Sequence, residues 1–285
     1  MAEHIRWMKD RGLSAHTIRG RQGALRRLRA HAAAPLLSLT RDDIMSWRES
    51  LDHLGPKTIA VYVSHVRSYY EWLAGEGKIT ASPACRIPVP RTGPGIPRPI
   101  GTEDLYRAVR EAPPRIRIWL ILAAWCGLRC KEIALLRAEN LLLTGPNPAI
   151  IIAGNATKGI RGRVLDLSQS PFVITELITA GLPRAGWLFS RADRKPGPNQ
   201  PHRISQLISE YFTSLGIPAS AHMLRHWFAT GTLRATHDLQ TVQHLLGHKN
   251  LSTTQVYVAW DQALGAAAMG MLPVPPVSGL QLVPA

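Results

Sequence analysis

From residue 14 the chain sets apolar positions at helical intervals. Ile18, Leu25 and Leu28 form one stripe, and Ser14 stands just ahead, where its hydroxyl can cap a helix. Arg19, Arg21, Arg26, Arg27 and Arg29 decorate that segment. Thr40 opens a second helix, with Asp42 and Asp43 in the first turn and Ile44, Trp47 and Leu51 as its apolar stripe. After Gly55-Pro56 a third carries Ile59, Val63, Val66, Tyr70 and Leu73, with Lys57, Ser64, His65, Arg67 and Ser68 on its other side. Past residue 100 the pattern changes. Residues 103–111 read as a helix, and the apolar run 118–128 as a buried one. Short strands follow at 141–143, 150–153 and 164–167, parted by a proline-glycine turn and by a segment rich in glycine and charge. From Gln200 helices dominate again. The expectation is a mainly α protein with a small antiparallel β-sheet: a helical domain, then an α+β domain.

Pro88, Pro90, Pro94, Pro97 and Pro99 crowd one stretch, where they fix φ and remove backbone donors. Residues 88–99 are therefore read as an extended linker between a helical domain at 1–87 and a larger domain at 100–260. The nearly uncharged tail 261–285 follows.

Composition narrows the function. The 285 residues are 45% hydrophobic and 19% charged, ordinary for a globular chain, but the net charge is +15. That excess calls for a polyanionic partner, nucleic acid first. On the N-terminal helices, Arg19, Arg21, Lys57, Ser64, His65 and Arg67 are candidate DNA contacts, phosphate contacts setting register and basic side chains reading base edges. The apolar run is too short to cross a bilayer, and the start of the chain lacks a signal-peptide pattern, so a cytoplasmic protein without membrane attachment is expected. Cys85, Cys126 and Cys130 are too few for a disulfide framework and have no second ligand pair. They read as reduced core thiols, with no metal.

Five places in the C-terminal part can carry chemistry. Arg129 and Glu132 are three apart at a helix entry, a spacing that a surface ion pair also explains. Lys158 lies between two strands, in a stretch that also holds Arg161 and Arg163. His222 and Arg225 share one helical face by spacing. His248 follows Gly247, where a helix-end cation would also be at home. Ser252 can cap a short turn presenting Tyr257. Taken singly, each has an ordinary structural explanation.

Taken in order, they resemble something specific. The stretch "HMLRHWFATGTLRATHDLQTVQHLLGHKNLSTTQVY" from His222 to Tyr257 is similar to the signature region of the tyrosine recombinases, the phage integrases and Xer-type recombinases. Gly127-Leu128-Arg129-Cys130-Lys131-Glu132 resembles that family's upstream arginine box, and Thr157-Lys158-Gly159 its β-hairpin lysine. The "GLSAHTI" opening and the "LAGEGKITASPACRIPVPR" exit look like the family's core-binding domain.

The resemblance implies roles. Arg129 and Arg225 would clamp a phosphate, Tyr257 would attack it, His222 would assist, Lys158 would protonate the leaving 5′ oxygen, and His248 would donate a hydrogen bond. Glu132 would support the arginine box. Apart from the resemblance, the charge of Arg161 and Arg163 makes them further candidate DNA contacts. The reaction would pass through a 3′-phosphotyrosyl bond and a Holliday junction, without metal, ATP or other cofactor. Partners would be double-stranded DNA with short inverted core sites and three further copies of the chain, a homotetramer on DNA formed from free monomers in the bacterial host cytoplasm. With only a short stretch before the first helix, no arm-binding domain is expected, and Asp166 stands where the family strand often has proline. The tail would dock on a neighbouring protomer. Phage integration is the preferred task. A type IB topoisomerase-like enzyme, a catalytically silent DNA-binding regulator and a structural adaptor are the alternatives.

Overall fold

The computed structural model describes residues 1–91, 98–154, 162–191, 193 and 195–247. The chain divides into two compact units, Met1–Pro94 and Gly95–Ala285.

Among its described residues the first unit has four helices: α1 (Ala2–Asp10), α2 (Ala15–Ala32), α3 (Arg41–Glu49) and α4 (Pro56–Gly75). Their starts follow from local chemistry. The Ser14 hydroxyl accepts from the Thr17 amide at 3.1 Å. Thr40 and Asp43 bond each other's backbone amides in a reciprocal capping box. Pro56 occupies the first turn of α4, where no N–H is needed. The stripes of α2, α3 and α4 meet in a core built on Leu25, Leu28, Ile44, Trp47, Val63 and Tyr70. The Tyr70 hydroxyl donates to the Leu36 carbonyl at 2.7 Å.

Helix α1, which the apolar pattern did not predict, closes this core with a histidine. His4 is fully buried and packs against Trp7, Tyr69 and Trp72. Arg21, expected to face DNA, is buried instead, its Nη1 lying 3.4 Å from His4 Nε2. It sits on the same stripe as Ile18, Leu25 and Leu28, so it faces the core with them.

The second unit surrounds one apolar helix. It comprises α5 (Thr102–Glu111), α6 (Pro114–Ala124), α7 (Cys130–Ala134), β1 (Leu141–Leu142), β2 (Ala149–Ile152), β3 (Arg163–Asp166), α8 (Pro171–Thr179), α9 (Pro201–Ser214), α10 (Ala221–Thr236) and α11 (Leu239–Leu246). Residues 118–124 of α6 are all buried, and α5, α9 and α10 pack around it. The apolar run outlasts the helix. α6 ends at Ala124, and Cys126 and Leu128 are buried in the turn that follows. There Gly127 takes φ +61°, which an α-helix cannot continue through.

The three strands form an antiparallel sheet in the order β1-β2-β3, with Ile150 opposite Leu165 and Ile152 opposite Arg163. β3 alternates strictly, Arg163 and Leu165 inward, Val164 and Asp166 outward. α11 is capped by Asp238, whose carboxylate accepts the amides of Gln240 and Thr241 at 2.9 and 3.0 Å. The cysteines are unpaired: Cys126 is buried, Cys130 half-buried, and Cys85 exposed rather than in a core. No described helix is long and apolar enough to cross a membrane.

Candidate functional site

The turn from α6 into α7 brings the first arginine into place. Any Cβ added at Gly127 would lie 2.5 Å from the Phe228 ring, so glycine is required here by space as well as by φ. Two residues on, Arg129 is the N-cap of α7, and its amide donates to Glu132 Oε2 at 2.8 Å. Its Nη1 donates to Glu132 Oε1 at 3.1 Å and to the Leu246 carbonyl at 3.2 Å. The Arg129 side chain keeps 31% of its surface exposed.

Glu132 is almost wholly enclosed, its side chain 2% exposed. Burial alone would raise its pKa. Hydrogen bonds and charge from Arg163, the Arg129 amide and the charge of Arg225 together outweigh that and hold it below the ordinary value. Arg163 reaches both carboxylate oxygens, Nη1 to Oε1 at 2.9 Å and Nη2 to Oε2 at 3.1 Å. A buried carboxylate is tolerable only with such partners, since removing one partner of a buried pair costs about 3–5 kcal/mol.

Arg225 enters from α10 and is 3% exposed. Its guanidinium donates to the Gly127 carbonyl and, at 2.7 Å, to the Leu246 carbonyl, with Nη1 3.8 Å from Glu132 Oε2. Leu246 is the last residue of α11, where a helix leaves carbonyls without backbone donors and carries partial negative charge. Arg129 and Arg225, which are 96 residues apart by number, thus converge on one helix end. Gly247 closes α11 at φ +62°, and a Cβ there would lie 2.9 Å from Arg163 Nη1.

One turn before Arg225, His222 is exposed at the surface and meets His226 edge-on with ring centroids 4.3 Å apart. Crowding by surrounding atoms, then the charges of Arg225 and Arg129, lower the His222 pKa. Burial, His222 and Arg225 take His226 down to about 4. Both rings are therefore neutral at pH 7. Among the described residues no group of three or more His, Cys, Asp or Glu side chains could hold a metal.

The structure thus gathers Arg129, Glu132 and Arg225 at one place, with His222 beside them. Lys158, Arg161, His248 and Tyr257 lie outside the described residues, as do Ser252 and the tail 261–285. Arg163, expected as a DNA contact, belongs to the interior, because its place on β3 turns it inward beside Leu165. In the first unit Arg19, Lys57 and Ser64 are exposed. His65 is half-buried against Gly20, and Arg67 is half-buried with its guanidinium donating to the Ile87 carbonyl. Sequence reasoning did not single out the Leu246 carbonyl or the close approach of Phe228 to Gly127. A backbone acceptor leaves no mark in residue type, whereas the inward side of β3 was present in the two-residue period.

Comparison with known proteins points one way. A model described as the Phage integrase family matches residues 101–263, and one described as the Phage integrase, N-terminal SAM-like domain, matches residues 6–77. Tyrosine recombinase XerC of Brucella melitensis biotype 1 is 33% identical over 225 residues, covering 74% of this chain and 70% of that protein. Tyrosine recombinase XerC of Vibrio atlanticus is 29% identical over 278 residues, covering 91% and 86%. In fold, a lambda integrase dimer bound to a COC' core site superposes with a TM-score of 0.71 at 16% identity, over 90% of this chain and 75% of that one.

Proposed function

The chain belongs to the phage integrase family and is a tyrosine site-specific recombinase, and from that premise we propose that it cuts and rejoins double-stranded DNA through Tyr257. The observation that carries the reading is the convergence of Arg129 and Arg225 on the Leu246 carbonyl, two residues before His248 in sequence. Two planar guanidinium groups held from different elements suit the non-bridging oxygens of one phosphate.

In this reading the Tyr257 hydroxyl oxygen bonds to phosphorus and the bond to the 5′ oxygen breaks. The product is a 3′-phosphotyrosyl link and a free 5′ hydroxyl. A phenol with a pKa near 10 must lose its proton during attack. His222, neutral at pH 7, can draw it off. Lys158 gives a proton to the departing 5′ oxygen, and His248 donates to the phosphate. The negative charge that builds in the transition state is met by Arg129 and Arg225, which are already held in place. Rejoining reverses these steps with a partner strand and passes through a Holliday junction. No metal, nucleotide or other cofactor takes part.

The net charge of +15 supports DNA as the partner. The proposal extends to a homotetramer assembling from monomers on short inverted core sites. The test is covalent trapping on nicked DNA taken from beside the gene, comparing the native chain with Tyr257→Phe. A protein–DNA adduct stable to denaturing gel, absent in the variant, supports the reading. An adduct that survives the substitution assigns the nucleophile elsewhere, and tight binding with no adduct sinks the enzymatic reading.

A further inference from the structure

We propose that Arg163 is a positioning residue for strand cleavage: it fixes the plane of the Glu132 carboxylate, and through it the guanidinium of Arg129. The inference rests on the recombinase reading above, in which Arg129 clamps the phosphate.

A carboxylate has about four lone-pair sites, two on each oxygen. Among the described residues, four hydrogen bonds from Arg129 and Arg163 fill them. Oε1 accepts from Arg129 Nη1 at 3.1 Å and Arg163 Nη1 at 2.9 Å. Oε2 accepts from the Arg129 amide at 2.8 Å and Arg163 Nη2 at 3.1 Å. Turning the carboxylate to suit one arginine would break bonds to the other. Arg129, with 31% of its side chain exposed, has the freedom to move. Arg163, 2% exposed, does not. Orientation therefore passes from the buried arginine to the exposed one.

The same guanidinium supports the other anchor of Arg129. Its Nη1 is so close to Gly247 that a Cβ there would lie 2.9 Å away, and the preceding residue, Leu246, supplies the carbonyl shared by Arg129 and Arg225. Arg163 also opens β3, five residues after Lys158 in sequence. Both of its Nη atoms are bonded to Glu132, so its effect on the reaction is exerted through Glu132 and Gly247. A lysine could keep the charge but not the two parallel bonds that fix a plane.

The full chain is tested as Arg163→Lys, with Tyr257→Phe as control, by the rate of adduct formation on nicked DNA and by DNA affinity across a salt series. The expected result is an adduct rate lower by about a hundredfold, as for a misplaced reacting group, with affinity and salt slope unchanged. The acidic limb of the pH–rate profile also moves upward as Glu132 loses its best donor. Glu132→Gln, Arg163→Gln and the two together complete a double-mutant cycle, in which the double variant removes both charges of the buried pair at once. If Arg163 acts through Glu132, the second substitution costs little adduct rate once the first is made.

A weaker affinity with a salt slope lower by about one in Arg163→Gln, which removes the charge, would make Arg163 a direct phosphate contact and overturn the proposal. So would a lower melting temperature with an unchanged rate per folded molecule, or fully additive losses in the double variant. Absence of any Tyr257-dependent adduct from the native chain would instead remove the recombinase reading, and this inference with it.

Discussion

His4 and Glu132 are both ionisable side chains sealed inside a core, and they meet that situation in opposite ways. Glu132 stays charged because three arginines surround it. For His4 the charges that act besides burial are positive. Burial first, then the positive charges of Arg21 and the N-terminal amine, push its pKa down to about 4, so it packs as a neutral aromatic ring. Its Nε2 faces the Arg21 guanidinium, which can only donate, and must therefore be the unprotonated nitrogen. A base with a depressed folded pKa binds its proton more readily in the unfolded chain. The stabilisation is complete above about pH 6.5, the unfolded value, and is lost as pH falls through 4. The drop of roughly 2.5 pH units corresponds to about 3 kcal/mol. Denaturant unfolding of the native chain at pH 7 and pH 4 should show at least part of this loss in the transition of the N-terminal unit. In His4→Phe the loss over the same interval should be smaller by a similar amount. An equal acid sensitivity in both would mean that other groups dominate.

At the scale of elements, the helices with polar caps and unbroken apolar stripes were legible in the sequence: α2 from Ser14, α3 from Thr40 and Asp43, α4 from Pro56. The strands were placed to within a residue or two by their turns. What escaped was polar residues on inner faces. α1 was missed because its buried positions, His4 and Met8, include a histidine that residue type alone assigns to solvent. Arg21 and Arg163 were assigned to DNA for their charge, although the stripe of α2 and the alternation of β3 each put them inside. Spacing was the better guide than charge. The other miss, the early end of α6, turns on Gly127, and it allows a direct test. Gly127→Ala places a Cβ in a left-handed backbone and against a rigid ring at 2.5 Å. Strain of about 1–3 kcal/mol from each source is expected. Thermal unfolding should therefore show a clear loss, and because the Gly127 carbonyl accepts from Arg225, adduct formation by the remaining folded protein should fall too. Stability near that of the native chain would mean that this turn has room the structure does not show.

For the whole molecule, a charge of +15 describes the sequence, while the field that meets DNA depends on which cations reach the surface. Arg21 and Arg163 are buried, so they contribute little to counterion release. Arg19 and Lys57 are exposed on the helical unit and are proposed contacts. These two classes should separate in one experiment. A cation that neutralises a phosphate contributes about one to the slope of log affinity against log salt. Arg19→Gln and Lys57→Gln should each lower that slope by about one and weaken binding at low salt, with melting temperature unchanged. Arg21→Gln should do the reverse: His4 and the α1–α2 packing lose a buried partner, so melting temperature falls while the slope of the folded protein stays put. If the two exposed substitutions leave the slope unaltered, DNA is bound by another face of the chain. If Arg21→Gln lowers the slope without lowering the melting temperature, the buried arginine must swing outward on DNA, and the core described around His4 is not the DNA-bound one.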